Sequence, residues 1–86
     1  MSQPAVVMYT TNWCGYCERA RKLFASKNVP IEEIDVESDP GKRAEMQTRS
    51  GRRSVPQIFI GDHHVGGSDD LLALEAAGKL DELLGR

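Results

Sequence analysis

The sequence predicts an α/β fold, a four-stranded mixed sheet flanked by helices, on three observations. Short apolar runs rich in β-branched residues alternate with stretches of helical periodicity. The first two such runs are each followed by a helical stretch, whereas the last two are separated only by Gly61-Asp62. The resulting order, βαβ, α, ββ, α, gives a parallel pair followed by an antiparallel hairpin in one sheet packed between helices. The chain has 86 residues, and a chain that short buries roughly 60–65% of its unfolded surface, so one domain over residues 1–86 is expected.

Ala5-Val6-Val7-Met8-Tyr9 reads as a buried strand, and Thr10-Thr11-Asn12-Trp13 as the loop after it. From Gly15 to about Lys27, Cys17, Ala20, Leu23 and Phe24 recur at three and four, which predicts a helix with Cys14 at its N-terminus. Asn28-Val29-Pro30 ends it. Ile31, Ile34 and Val36 form a second strand, after which Asp39 as N-cap and Pro40 at the first position start a helix that Gly51 stops near Ser50. Val55-Pro56-Gln57-Ile58-Phe59-Ile60 is a third strand, and Gly61-Asp62 turns it into a short fourth from His63 to Val65, broken by Gly66-Gly67. Ser68 or Asp69 is expected to cap a last helix carrying Leu71, Leu72 and Leu74 and, past Gly78, Leu80, Leu83 and Leu84.

Apolar residues at 40% and charged residues at 28% describe an ordinary globular chain, with no run able to span a membrane. Met1-Ser2-Gln3-Pro4 lacks a basic region and the apolar run after it is too short for a signal core, so the cytoplasm is the expected location. A net charge of −2 speaks against nucleic acid as the main partner. The basic run Arg49-Ser50-Gly51-Arg52-Arg53 reads as a solvated helix end and loop.

Two cysteines three positions apart, Cys14 and Cys17, cannot staple a distant loop, so their work is local. A thiol attacks a disulfide as thiolate, and the unpaired N–H groups and positive dipole end of a helix N-terminus favour that form at Cys14. Cys17, one turn inside the helix, should be less exposed and less ionised, which separates an attacking from a resolving thiol. A thiolate made more abundant this way loses intrinsic nucleophilicity in nearly equal measure. What it keeps is leaving-group ability, which suits a turnover catalyst. Half of a zinc site is the alternative, but only His63 and His64 remain as ligands, and adjacent strand residues face opposite ways.

Cys14-Gly15-Tyr16-Cys17 after a first strand, Ser54-Val55-Pro56 before a third, and Gly66-Gly67-Ser68-Asp69-Asp70 before the last helix stand in an order that closely resembles a dithiol glutaredoxin of the thioredoxin superfamily. The resemblance covers essentially the whole chain. It implies a thioredoxin-like fold with strand order 2-1-3-4. It also implies a glutathione-disulfide oxidoreductase that serves electron transport and cell redox homeostasis, with oxidised or glutathionylated proteins as substrates. By the family pattern Cys14 is the nucleophile and Cys17 the resolving thiol. Pro56 matches a cis-proline that turns the Val55 backbone toward glutathione, next to Ser54. Backbone N–H groups at Ser68 and Asp69, after Gly67, would hold the γ-glutamyl carboxylate, and Asp69 or Asp70 the ammonium. Arg43 falls where the family commonly places a residue for the glycyl carboxylate, and Tyr16 would flank the bound sulfur.

Thr11 stands where many members carry Lys, Trp13 replaces a small polar residue, Ser68 replaces a common Cys, and Gly15 replaces the commoner Pro. Relatives without that Pro include cluster binders. The alternative to a monomeric enzyme is therefore a dimer bridged by a [2Fe–2S] cluster, with Cys14 from each chain and two glutathiones as ligands.

Overall fold

The computed structural model describes residues 4–12 and 14–86; residues 1–3 and Trp13, expected at the end of the first loop, lie outside the described residues. The elements are β1 (Val6–Thr10), α1 (Gly15–Ser26), β2 (Glu32–Asp35), α2 (Pro40–Ser50), β3 (Gln57–Ile60), β4 (His63–Gly66), α3 (Ser68–Ala76) and α4 (Leu80–Leu83). They form one sheet in the order β2-β1-β3-β4. β1 runs parallel to β2, with Tyr9 opposite Ile34, and antiparallel to β3, with Met8 opposite Ile58. β3 and β4 form the antiparallel hairpin.

Alternation along the strands divides the core into two layers. Val6 and Met8 of β1 and Ile58 and Ile60 of β3 face Ala20 and Phe24 of α1, Leu71 of α3 and Leu80 of α4. Tyr9 and Phe59, on the other face, pack with Val36 and with Met46 of α2. Phe24 is fully buried, and a side chain of that size buried completely is worth ~1.5–3 kcal/mol. Among the described residues no helix is long and apolar enough to cross a membrane.

Local signals set the helix ends. Asp39 accepts a hydrogen bond from the Lys42 N–H at 3.1 Å, Pro40 occupies the first position, and Gly51 closes α2 at φ +71°. Replacing Asp39 by Ala should therefore lower the unfolding free energy by about 1 kcal/mol, read from urea melts, with little effect on the β3 side of the molecule.

Three departures from expectation have a local physical cause. The strand anticipated from Val55 begins at Gln57, because Pro56 has no N–H to give to the ladder; the Val55–Pro56 peptide bond before it is cis. The last helix is two. Lys79 N–H bonds to Leu74 O at 2.9 Å and Gly78 N–H to Glu75 O at 3.0 Å, closing α3 around Gly78 at φ +73° before Leu80 restarts the turn. Finally, α3 is capped by Gly67, not by Ser68 or Asp69. Ser68 is the first helical residue, and the Asp70 carboxylate reaches back to the Gly67 N–H at 2.9 Å.

Candidate functional site

β1 delivers the chain to Cys14, whose backbone is extended (φ −136°, ψ 106°) and which serves as N-cap of α1. Its sulfur takes the place a Ser or Asp oxygen usually holds, accepting a hydrogen bond from the Cys17 N–H at 3.1 Å. A charge on that sulfur is therefore met by an N–H of the first turn and by the helix dipole. The sulfur also lies 3.9 Å from the Val55 carbonyl oxygen, which joins the α1 N-terminus to the segment before β3.

Cys17, one turn on, is fully buried. Burial, followed by the hydrogen bond with Cys14, pushes its thiol up to about 12. Both cysteines are free. Cys17 should consequently remain unmodified when native protein is treated with iodoacetamide near neutral pH; mass spectrometry should find one adduct, on Cys14. The same shift makes Cys17 favour the folded state while it is protonated. That contribution is complete below the ordinary thiol value of about 9 and is lost as pH rises toward 12.

Beside Cys14 lies a cleft of about 360 Å³ lined by Tyr16, Arg52, Ser54, Val55, Pro56, Gly67, Ser68, Asp69 and Asp70. Three separate segments, the first turn of α1, the loop before β3 and the N-terminus of α3, thus meet on one side of the sheet. Tyr16 is 57% exposed, with the Arg19 guanidinium 5.7 Å from its ring centroid. Arg52 donates to Asp70 at 3.0 Å, so the cleft carries a cation and an anion side by side. The Gly67 N–H, then Arg52, holds the Asp70 carboxyl below the usual carboxylate range. Ser68 is 3% exposed, and its hydroxyl oxygen has no hydrogen-bond partner among the described residues.

Of the residues singled out from sequence, Tyr16, Ser54, Val55, Pro56, Gly67, Ser68, Asp69 and Asp70 come together in this cleft, and Cys14 adjoins it. Arg43 does not. It sits half-buried in α2, and the cation lining the cleft is Arg52. The basic run from Arg49 to Arg53 was expected to be solvated surface, yet Arg49 donates to the Tyr9 hydroxyl at 2.8 Å and lies 4.1 Å over the Phe59 ring. The signal for Arg52 was its place two residues before Ser54, in a segment that must pass the site. His64, considered only as a zinc ligand, instead meets Gln57; among the described residues no cluster of three or more His, Cys, Asp or Glu could hold a metal.

The glutaredoxin family model matches residues 6–65. A glutaredoxin of Pseudomonas aeruginosa is 56% identical over 81 residues, covering 94% of this chain and 96% of that one. Glutaredoxin 3 of Escherichia coli K12 is 52% identical over 79 residues, covering 92% and 95%. A buckwheat glutaredoxin in complex with glutathione superposes with a TM-score of 0.87 at 31% identity, over 96% of this chain and 77% of that one. A structure described as metal binding of glutaredoxins gives a TM-score of 0.74 at 57% identity, over 95% and 89%.

Proposed function

The chain belongs to the glutaredoxin family of thiol oxidoreductases, and we propose that it reduces protein disulfides and glutathione mixed disulfides through Cys14 and Cys17, with glutathione as electron donor. The observation that carries the glutathione part is the buried, unpartnered Ser68 hydroxyl at the N-terminus of α3, in a cleft that also holds Arg52 and Asp70. Glutathione carries two carboxylates and an ammonium. A carboxylate at Ser68 would meet the first N–H groups of α3 and satisfy that hydroxyl, and Asp69 or Asp70 would face the ammonium. Arg52, in place of Arg43, supplies a side-chain cation for a carboxylate. The Val55 backbone, beside the Cys14 sulfur, would pair with the peptide. The buckwheat relative's glutathione complex supports the same ligand here.

In the reaction, the Cys14 thiolate attacks the glutathione sulfur of a mixed disulfide. The S–S bond breaks, the substrate thiolate leaves and takes a proton, and Cys14 holds glutathione in a new disulfide. A second glutathione thiolate then attacks that adduct, releasing oxidised glutathione and the Cys14 thiolate. With a protein disulfide as substrate, Cys17 displaces the reduced protein and closes a Cys14–Cys17 disulfide, which two glutathiones reopen. The hydrogen bond to Cys14 that helps keep Cys17 protonated weakens once Cys14 is in a mixed disulfide, so the resolving thiol ionises more readily at the step where it is needed.

Two measurements test the reading. Wild-type protein should turn over a glutathionylated substrate with glutathione, and fail markedly when glutathione is replaced by a donor thiol lacking the zwitterionic γ-glutamyl end. Asp70→Asn should raise KM for glutathione about tenfold with kcat changed little, because a charge-assisted contact made equally in ground and transition states is removed. Equal rates with both donors would count against glutathione as the specific partner.

One observation favours a second role. Among the described residues a Cβ at Gly15 would meet nothing within 4 Å, which leaves room beside Cys14 on that side. Because Cys17 is buried and held protonated, each chain offers one ligand thiolate. Two chains with two glutathiones would then supply the four thiolates that a [2Fe–2S] cluster takes. Anaerobic reconstitution with iron, sulfide and glutathione should give a coloured dimer; a colourless monomer would rule this role out.

A further inference from the structure

We propose that His64 is a positioning residue for the glutathione site, acting through the buried Gln57 carboxamide on Ser54 and Val55; the proposal rests on the glutathione-dependent reading above. Gln57 is fully buried at the start of β3, immediately after Pro56. Its Nε2 donates to the Ser54 carbonyl oxygen at 3.0 Å and to the Ser54 hydroxyl at 3.2 Å. A carbonyl oxygen can only accept, so the amide nitrogen faces Ser54 and the amide oxygen faces away, where His64 Nε2 lies 2.8 Å from it. His64 must therefore donate from Nε2. Burial, with Arg52 next, holds the imidazole below its ordinary range, consistent with the neutral form carrying its proton on Nε2.

The chain of bonds begins on a rigid base. His64 lies opposite Phe59 in the β3–β4 register and stacks on it at 4.8 Å, with the rings 26° apart. Phe59 in turn lies beneath the Arg49 guanidinium and edge-on to Tyr9, 5.9 Å away. In the loop it supports, Val55 packs on the Tyr9–Phe59 layer and Pro56 is buried, while Ser54 is held by the Gln57 amide. Ser54 is exposed, Val55 is half-buried, and the segment lines the cleft on the side where the Val55 carbonyl approaches Cys14. Without the His64 donor, the Gln57 oxygen would be a buried acceptor with no partner. The amide would then gain by turning toward another donor, releasing Ser54. The loop backbone that pairs with glutathione would lose its fixed geometry, while Cys14 and Cys17 would be untouched.

Two variants separate the hydrogen bond from packing. His64→Phe keeps a ring on Phe59 and removes the donor; His64→Gln keeps an N–H near the Nε2 position and removes the ring. His64→Phe should raise KM for glutathione about fivefold, with kcat and the rate of Cys14 alkylation within about twofold of wild type, whereas His64→Gln should stay within about twofold in all three. In the glutathione-free protein, 15N relaxation should show lower order at Ser54 and Val55 in His64→Phe than in wild type, with β1 unchanged. A His64→Phe protein with wild-type KM and loop order would overturn the proposal, as would a His64→Gln protein as impaired as His64→Phe. Failure of the wild type to use glutathione would overturn the functional reading instead, and loop order in His64→Phe would still decide the role of His64.

Discussion

Cys14→Ser should lose turnover in a glutathione-coupled mixed-disulfide assay by a factor on the order of 10³ or more, the scale on which covalent catalysts lose rate when their nucleophile is removed. A serine hydroxyl at the N-cap would still accept the Cys17 N–H bond that the Cys14 sulfur now accepts, so the helix should remain capped and the protein folded. The loss would thus be chemical. Cys17→Ser should behave differently, because the glutathione route needs only Cys14 and a second glutathione. Its deglutathionylation should stay within a few-fold of wild type, while reduction of protein disulfides by the two-thiol route falls. Residual activity in Cys14→Ser near that of wild type would place the chemistry elsewhere in the chain.

The second large effect is expected at Gly66, the last residue of β4. Its φ of +111° is a conformation that side chains rarely adopt, and a Cβ there would run into an Asp70 carboxylate oxygen and lie 3.1 Å from an Arg52 nitrogen. Asp70 is not free to swing aside without cost, since the same oxygen accepts from both the Gly67 N–H and Arg52. Gly66→Ala should therefore cost about 2–3 kcal/mol, from backbone strain and the broken corner together, read as a lower urea midpoint with unchanged m. Glutathione affinity should fall with it, because the displaced groups line the cleft. A folded Gly66→Ala variant of wild-type stability would show that the corner relaxes freely.

The fold was legible wherever one physical signal governed one element. Asp39-Pro40 and Gly51 mark α2 at both ends because capping and φ preference act locally. The apolar alternation of β1 and β3 places their side chains in two layers without reference to the rest of the chain. Legibility failed where tertiary partners chose among local options. Leucines on both sides of Gly78 read as one helix, yet a left-handed glycine and two backbone bonds end α3 there. Ser68 looks like an N-cap in sequence. Asp70 instead binds the Gly67 N–H, which shifts the cap back and leaves the Ser68 hydroxyl without a partner in the cleft.

The site divides in the same way. Cys14 and Cys17 declare themselves by spacing, because helix periodicity alone puts one at the N-terminus and the other inside. The groups around them depend on which segments the sheet order brings together. Family position points to Arg43 and the sequence reads Arg52 only as part of a solvated run; the path of the loop before β3 puts Arg52 in the cleft, while Arg43 sits on α2. Gln57 and His64 carry no motif that marks them. Their hydrogen bond exists because β3 and β4 pair with His64 opposite Phe59, and that register is a property of the hairpin as a whole.

On the proposed route Cys14, beside the cleft, takes up glutathione as a covalent intermediate. Incubating the Cys17→Ser protein with oxidised glutathione and mapping the product by mass spectrometry tests it most directly. One glutathione per chain is expected, on Cys14, removed again by added glutathione; absence of the adduct at Cys14 would contradict that route.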